Sequence, residues 1–140
     1  MRNGHVWFVR LVIVYALLIF AFLASLYVIE PLEPIEKFGI SASGVPESGN
    51  FLRTGPGAMF LSLAVTALYG LLRPARLISC LWFIVVLNGC IVAGRLYGMA
   101  VDGVTPLQLS ELRDEGLSWI VFVLALLAWP RAARAHTAPG

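Results

Sequence analysis

The apolar run from Val6 to Ile29 is the feature that most constrains the fold of this chain. A helix that crosses the hydrocarbon core of a bilayer needs about 20 mostly apolar residues. Only Arg10 interrupts this run, and Glu30-Pro31 ends it. The run exceeds the roughly 7 to 15 apolar residues of a secretory signal peptide. We therefore predict a retained first membrane span rather than a cleaved leader.

The composition extends this interpretation to the whole chain. Of its 140 residues, 59% are hydrophobic and 13% are charged, whereas a soluble domain is about half apolar and about a quarter charged. So few charged residues cannot cover a water-facing surface around so much hydrocarbon. The high hydrophobicity disfavours intrinsic disorder, and the absence of clustered basic charge disfavours nucleic-acid binding. The sequence predicts a small multi-pass membrane protein.

Three further helices follow the first. The second reaches spanning length only if Pro56 lies inside it, which predicts a kink or a break there. The fourth begins with Thr105 as N-cap, Pro106 at the first helical position and Gln108 placed to close a capping box. The predicted fold is an all-α membrane protein, an antiparallel four-helix transmembrane bundle in one domain, 1–140, with helices at 6–29, 50–72, 77–100 and 106–129 and a flexible cytoplasmic tail at 131–140.

The charged residues predict the orientation of these helices. All eight acidic residues fall in the first and third links or at the helix ends beside them, on one side of the membrane. The opposite side carries basic residues and no acid: Arg2, Arg10, Arg73, Arg76, Arg131 and Arg134. Because positive residues flank the cytoplasmic ends of membrane helices, both termini are predicted to be cytoplasmic.

Residues for catalysis or metal binding are scarce in this sequence. Cys80 and Cys90 lie ten residues apart on one predicted helix, about 15 Å along its axis, which is beyond the reach of a disulfide. His5 and His136 lie in the terminal segments without a carboxylate or thiol nearby. No glycine-rich phosphate loop or Ser/His/Asp set is evident. We expect that the protein is not an enzyme and holds no metal or cofactor.

Polar residues in the outer half of the predicted bundle form the candidate site. Asn88, Arg95 and Asp102 recur every seven residues, so they share one helix face. Ionisable residues in membrane spans usually face the interior of a bundle and are candidates for function. The predicted pocket for an anionic or carbonyl-bearing amphiphile comprises Arg53, Asn88, Arg95, Asp102, Glu111 and Glu115. In the alternative interpretation, Arg95 extends to the lipid head groups and the acids face water or lock helix packing.

Small residues predict where helices pack closely. Gly94 and Gly98 have the Gly-x-x-x-Gly spacing, which lets another helix approach. Ala58, Ser62 and Thr66 lie along one face of the second helix. We call these three residues the small-residue seam and predict that it packs against a neighbouring helix.

Two arginine motifs resemble a known family. They are Asn50-Phe51-Leu52-Arg53, which leads into the small residues 55–58, and Gly94-Arg95-Leu96-Tyr97-Gly98, which is followed by Asp102-Gly103. With an acid in the first half of the last helix, they resemble a bacterial family of small four-helix membrane proteins known as a domain of unknown function, similar in layout to the DoxX-type proteins. The resemblance implies a location in the inner membrane and a shared role for Arg53, Arg95, Asp102 and Glu115.

Two functions fit these features. The first is an accessory or scaffold protein that associates with other membrane proteins, or with itself, through its small-residue faces. The second is a binding or carrier protein for a lipid-like or quinone-like amphiphile, held by the outer arginines and carboxylates. Both involve membrane lipids as neighbours, and neither involves nucleic acid.

Overall fold

The structure, a computed structural model, describes residues 4–37, 39 and 46–129. All regular structure in these residues is helical, and no strand occurs among them. The predicted tail at 131–140 lies outside them. The elements are α1 (Gly4–Ile29), α2 (Glu33–Glu36), α3 (Pro46–Leu52), a π-helical turn (Arg53–Gly57), α4 (Ala58–Leu72), a 3-10 turn (Pro74–Arg76), α5 (Leu77–Asp102) and α6 (Pro106–Ala128).

Three helical segments of the described chain are long and apolar enough to cross a membrane: Gly4–Ile29, Glu47–Leu72 and Pro74–Asp102. Helix α6 has a different composition. Its first half carries Glu111, Arg113, Asp114 and Glu115, and its continuous apolar stretch begins only after them. A fourth span therefore stays a prediction.

Gly103 and Thr105, in the short link between α5 and α6, determine where α5 ends and where α6 begins. Gly103 has a φ of 94°, a conformation that favours glycine, and α5 ends there. Two residues later, the Thr105 hydroxyl accepts from the backbone N–H of Gln108 at 3.2 Å, and the Gln108 side chain accepts from the backbone N–H of Thr105 at 2.9 Å. The predicted capping box is thus confirmed, with Pro106 at the first helical position.

Pro56 widens a helix rather than breaking it. A proline inside an α-helix cannot donate its own hydrogen bond, and its ring clashes with the carbonyl four residues back. The turn Arg53–Gly57 becomes π-helical, and the backbone N–H of Ala58 donates to the carbonyl oxygens of Arg53 and Gly55. One wide turn therefore joins α3 to α4, and the two run as one helical segment.

The four longest helices contact one another in a ring. Helix α1 packs against α4, α4 against α5, α5 against α6, and α6 against α1. Apolar side chains fill the centre because each helix turns one stripe inward. The fully or almost fully buried core residues include Val9, Ile13 and Ala16 of α1, Leu63 and Ala67 of α4, Leu81 and Ile84 of α5, and Phe122 and Ala125 of α6.

The buried face of α4 lies one residue away from the predicted small-residue seam. Leu63, Ala67 and Gly70 are buried, whereas Ala58 and Ser62 are exposed. The hydroxyl of Ser62 donates within α4 to the carbonyl of Met59 at 2.7 Å, and Thr66 bonds in the same way to Ser62. A hydroxyl that bonds to its own helix needs no partner helix. The seam therefore lies beside the packed face and does not form it.

Two glycines, Gly70 and Gly89, lie where neighbouring helices approach each other most closely. The sequence predicts such contacts at Gly94 and Gly98 instead. A Cβ on Gly70 would lie 3.0 Å from the Cβ of Cys80, and one on Gly89 would lie 2.9 Å from the indole nitrogen of Trp119. That nitrogen donates to the carbonyl of Val85 at 3.0 Å, which ties α6 to α5. Around Gly94, by contrast, the space is open within 4 Å.

Candidate functional site

A bidentate ion pair between α5 and α6 is the centre of the site. Arg95 donates through Nε to Oε2 of Glu115 and through Nη2 to Oε1, each at 2.5 Å. Their side chains are only 22% and 23% exposed, so solvent screens the pair weakly. Both oxygens of the carboxylate and one edge of the guanidinium are therefore engaged with each other.

A second ion pair adjoins the first. Lys37, which follows α2, donates to Oε1 of Glu111 at 2.7 Å, and Oε2 of Glu111 lies 3.9 Å from Nη2 of Arg95. Glu111 and Glu115 lie one turn apart on α6, where two like charges would repel. The two cations from different elements offset that repulsion. The cluster therefore joins α2, α5 and α6 at one end of the ring.

A cavity of about 1110 Å³ lies between the helices of the ring and extends from this cluster into the apolar interior. Small-molecule sites commonly measure roughly 300 to 1,000 Å³, so the space suffices for a molecule of that class. Both ion pairs lie on its lining. The charged residues of the lining are Glu33, Glu36, Lys37, Arg95, Glu111, Asp114 and Glu115.

Aromatic side chains line the other part of the cavity. Their rings follow one another in a chain: Tyr15 lies 6.0 Å from Phe122, Phe122 6.1 Å from Phe20, Phe20 6.3 Å from Phe60, and Phe60 5.8 Å from Tyr27, measured between ring centroids. The hydroxyl of Tyr15 also lies 2.9 Å from that of Ser118, which links α1 to α6 beside the charged part. The cavity is therefore charged at one end and aromatic along its depth.

Of the six residues predicted to form a binding pocket, four line this cavity or its charged end. Arg95, Glu111 and Glu115 form the ion pairs, and Asn88 is buried with its amide nitrogen 3.5 Å from the carbonyl of Glu115. Asp102 is exposed and lies outside the lining, because it is the last residue of α5, about 10 Å further along the helix axis than Arg95.

Arg53 also lies outside the cavity. Its Nε donates to the carbonyl of Val28 at 3.0 Å, in the last turn of α1. Carbonyls in the last turn of a helix have no partner within that helix. Arg53 therefore satisfies the end of α1 from the π-helical turn and does not pair with Glu111 or Glu115.

Helix α2 adds acidic residues to the mouth of the cavity. Glu33 and Glu36 are exposed and line it, and both precede Lys37. A hydrogen bond with the Glu30 carboxyl, and then the charge of that carboxyl, raise the pKa of Glu33 above its ordinary value. Like charges therefore crowd this rim.

Sequence reasoning missed Lys37 and the aromatic chain. Lys37 and Glu111 are 74 residues apart, and the only signal that pointed to Lys37 was its position among the charged residues of the acidic side. The rings come from α1, α4 and α6 at spacings that look like ordinary apolar periodicity. Within the described residues, no group of three or more His, Cys, Asp or Glu could hold a metal ion.

The chain has no similarity that would identify it. No family model matches it, and neither the curated proteins nor the solved structures include a significant match. The arrangement must therefore be interpreted from its own chemistry. Paired charges beside an aromatic cavity can hold a molecule with a polar head and an apolar body, because each part meets surroundings that replace its contacts with water or lipid.

Proposed function

We propose that the chain is a multi-pass protein of a bacterial inner membrane, in which α1, the α3–α4 segment, α5 and α6 form an antiparallel four-helix bundle. Three apolar segments of spanning length support this proposal. Helix α6 joins them because its charged half pairs with Arg95 and Lys37, which lowers the cost of placing those carboxylates near the hydrocarbon. Both termini lie in the cytoplasm, on the side with the unopposed arginines.

Fusion reporters test this topology. Alkaline phosphatase fused after Gly39 is expected to be active, because that enzyme folds only outside the cytoplasm. Green fluorescent protein fused to the C-terminus is expected to fluoresce, because it folds only inside. An inactive phosphatase with a dark C-terminal fusion would reverse the orientation. An active phosphatase with a dark C-terminal fusion would place the two termini on opposite sides of the membrane. That result would mean that α6 does not span it.

Within that bundle, we propose that the cavity binds a lipid-like or quinone-like amphiphile, as a carrier or binding protein and not as an enzyme. The single observation that carries this proposal is the cavity of about 1110 Å³ with ion pairs at one end and five aromatic rings along its depth. Burial of an apolar body contributes about 25 cal/mol per Å². The charged end would orient the head group.

Native mass spectrometry tests this binding. The protein, extracted into nanodiscs from its own membrane, is expected to carry a reproducible small-molecule adduct. Ile91→Trp would fill the cavity, since Ile91 lines it, and should remove the adduct. Leu96→Trp is the matched control, because Leu96 is on the same helix but half exposed and outside the lining. An adduct that persists in the Ile91 variant would contradict cavity binding.

We also propose, as a second function, that the protein serves as an accessory subunit for another membrane protein. The open space around Gly94 favours it, because Gly94 and Gly98 would admit a further helix and no helix of the described chain lies within 4 Å of Gly94. Gly94→Leu is then expected to release a partner polypeptide of fixed stoichiometry. Retention of that partner would exclude this surface. If the Gly94→Leu variant loses the partner but keeps the small-molecule adduct, the two functions use different surfaces of the protein.

A further inference from the structure

We propose that the head group of the amphiphile is cationic, so that the cavity selects a lipophilic ammonium or a comparable cation. This inference rests on the proposed binding function and adds the charge of its ligand. The charged lining comprises five carboxylates and two cations, and Arg113 beside it pairs with one of those carboxylates, Asp114, at 2.8 Å, which leaves a formal excess of two negative charges. A cleft with such an excess and low-dielectric walls attracts cations and repels anions before any contact forms.

The two cations of the lining are poorly placed to receive an anion. Arg95 uses its Nε and Nη2 edge for both oxygens of Glu115. That edge is one of the two through which a guanidinium binds carboxylates and phosphates in a bidentate manner. Lys37 donates to Glu111. An anionic head that took the place of Glu115 or Glu111 would leave that carboxylate unpaired in a weakly screened place, and one that bound beside them would meet their negative charge.

The acids of α2 are differently placed. No ion pair within the described residues joins Glu33 or Glu36 to a cation, although both line the mouth of the cavity. The Glu30 carboxyl already raises the pKa of Glu33, through a hydrogen bond and through its negative charge, because the two acids lie three residues apart at this mouth. A bound cation would relieve that repulsion, whereas a second anion would increase it.

The aromatic chain is an independent observation that favours the same charge. The faces of Phe and Tyr rings carry negative electrostatic potential and attract cations within about 6 Å. Of the five rings at the cavity, Tyr15, Tyr27 and Phe60 keep exposed surface beyond the charged end, and Phe20 and Phe122 are buried behind them. A cation with an apolar body can therefore keep favourable contacts along the cavity, and its charge need not stay at the mouth.

Two probes of matched shape and opposite charge test the proposal. Tetraphenylphosphonium and tetraphenylborate are each titrated onto the intact protein in dodecyl maltoside, and bound ligand is measured by equilibrium dialysis. Binding to the Ile91→Trp variant is subtracted, because it reports partition into the micelle. The phosphonium is expected to bind roughly tenfold more tightly than the borate.

A pair of matched variants then locates the selectivity. Glu36→Gln removes one carboxylate from the mouth and should weaken phosphonium binding about threefold, with no loss of borate binding. Glu47→Gln removes one exposed acid of the same side that does not line the cavity, and should leave both affinities unchanged. Equal losses in the two variants would mean that the effect is one of overall charge, which contradicts a selective mouth.

The outcomes distinguish this inference from the proposed function. Borate binding that equals or exceeds phosphonium binding, and disappears in Ile91→Trp, would overturn the cationic ligand while the cavity remains an amphiphile site. Absence of any Ile91-dependent binding of both probes would overturn both. Displacement of the phosphonium by lysophosphatidylethanolamine would assign the cation to a lipid head group, and displacement by dodecyltrimethylammonium alone would assign it to a free amphiphilic cation.

Discussion

Two ends of the helix ring are held together by opposite means. At the packed end, which we define by Gly70, Leu77, Cys80 and Leu81, α4 and α5 meet so closely that a Cβ on Gly70 would lie 3.0 Å from that of Cys80. At the charged end, defined by Lys37, Arg95, Glu111 and Glu115, ion pairs join the elements and a cavity separates them. Close packing leaves no space for a ligand at the packed end. At the charged end, long paired side chains hold the helices together and leave space between them.

The largest expected effect is at the charged end. Arg95→Gln leaves Glu115 without its bidentate partner in a site that is only about a quarter exposed. Removal of one member of such a pair should lower the free energy of unfolding by about 3 kcal/mol. Titration with dodecyl sulfate in dodecyl maltoside measures that change. The double variant Arg95→Gln/Glu115→Gln should be more stable than Arg95→Gln, because no charge is then left unpaired. If the double variant loses the sum of both single effects, the two residues act independently.

The packed end should respond to added volume. Gly70→Leu is expected to lower the free energy of unfolding by about 2 kcal/mol, since the new side chain would collide with Cys80 and Leu77. Gly94→Leu is its matched control on α5, and it should not lower stability, because that glycine faces open space and leucine is favoured over glycine inside a helix by roughly 0.5 to 1 kcal/mol. The same dodecyl sulfate titration compares them. Similar losses in both would mean that the two glycines differ less than their surroundings indicate.

The start of α6 allows an effect of intermediate size. Thr105→Ala removes the hydroxyl that accepts from the N–H of Gln108. The loss should be about 1 kcal/mol of stability. Thr105→Ser keeps an acceptor oxygen and should recover most of it. Circular dichroism along a thermal ramp measures all three proteins, and an unchanged midpoint for the alanine variant would show that α6 is fixed by its packing alone.

The smallest effect is expected at the mouth. Lys37 is 51% exposed, and exposed ion pairs contribute little. Lys37→Gln should therefore lower the free energy of unfolding by about 0.5 kcal/mol. The change should shrink further in high salt, whereas the effect of Arg95→Gln should not. A loss for Lys37→Gln as large as that for Arg95→Gln would mean that α2 is essential to the charged end.

The sequence predicts the helices and their ends better than the contacts between them. Apolar periodicity gives the long helices, and the capping box at Thr105 follows from local residue types whose partners are three residues apart. The sequence also predicts that Pro56 interrupts the regular helix, although it does not predict that the interruption is a π-helical turn. Hydropathy gave no clear indication of the buried face of α4, since small and large apolar residues occur all round that helix.

The candidate site depends on contacts that no local pattern encodes. Heptad spacing identified Arg95 and Asn88 correctly as facing the interior, but extended that face too far, to Asp102. The partner of Arg53 is a backbone carbonyl of α1, which no pattern of side chains can reveal. Lys37 lies 74 residues from Glu111 along the chain and contacts it because α2, which Lys37 follows, packs against α1.

The wide turn at Arg53–Gly57 determines how the α3–α4 segment responds to a change in its length. A π-helical turn accommodates one residue more than an α-helical turn does, and each residue of an α-helix rotates the next by about 100°. Deletion of Gly55, around which the structure leaves open space within 4 Å, would remove that extra residue. Because the wide turn already holds that extra residue, an ordinary α-helical turn can take its place, and the residues before it keep their orientation relative to α4. In a regular α-helix the same deletion would rotate them by about 100°. The turn at Arg53–Gly57 is therefore the place in the α3–α4 segment where one residue can be lost while both halves keep the faces that they now present.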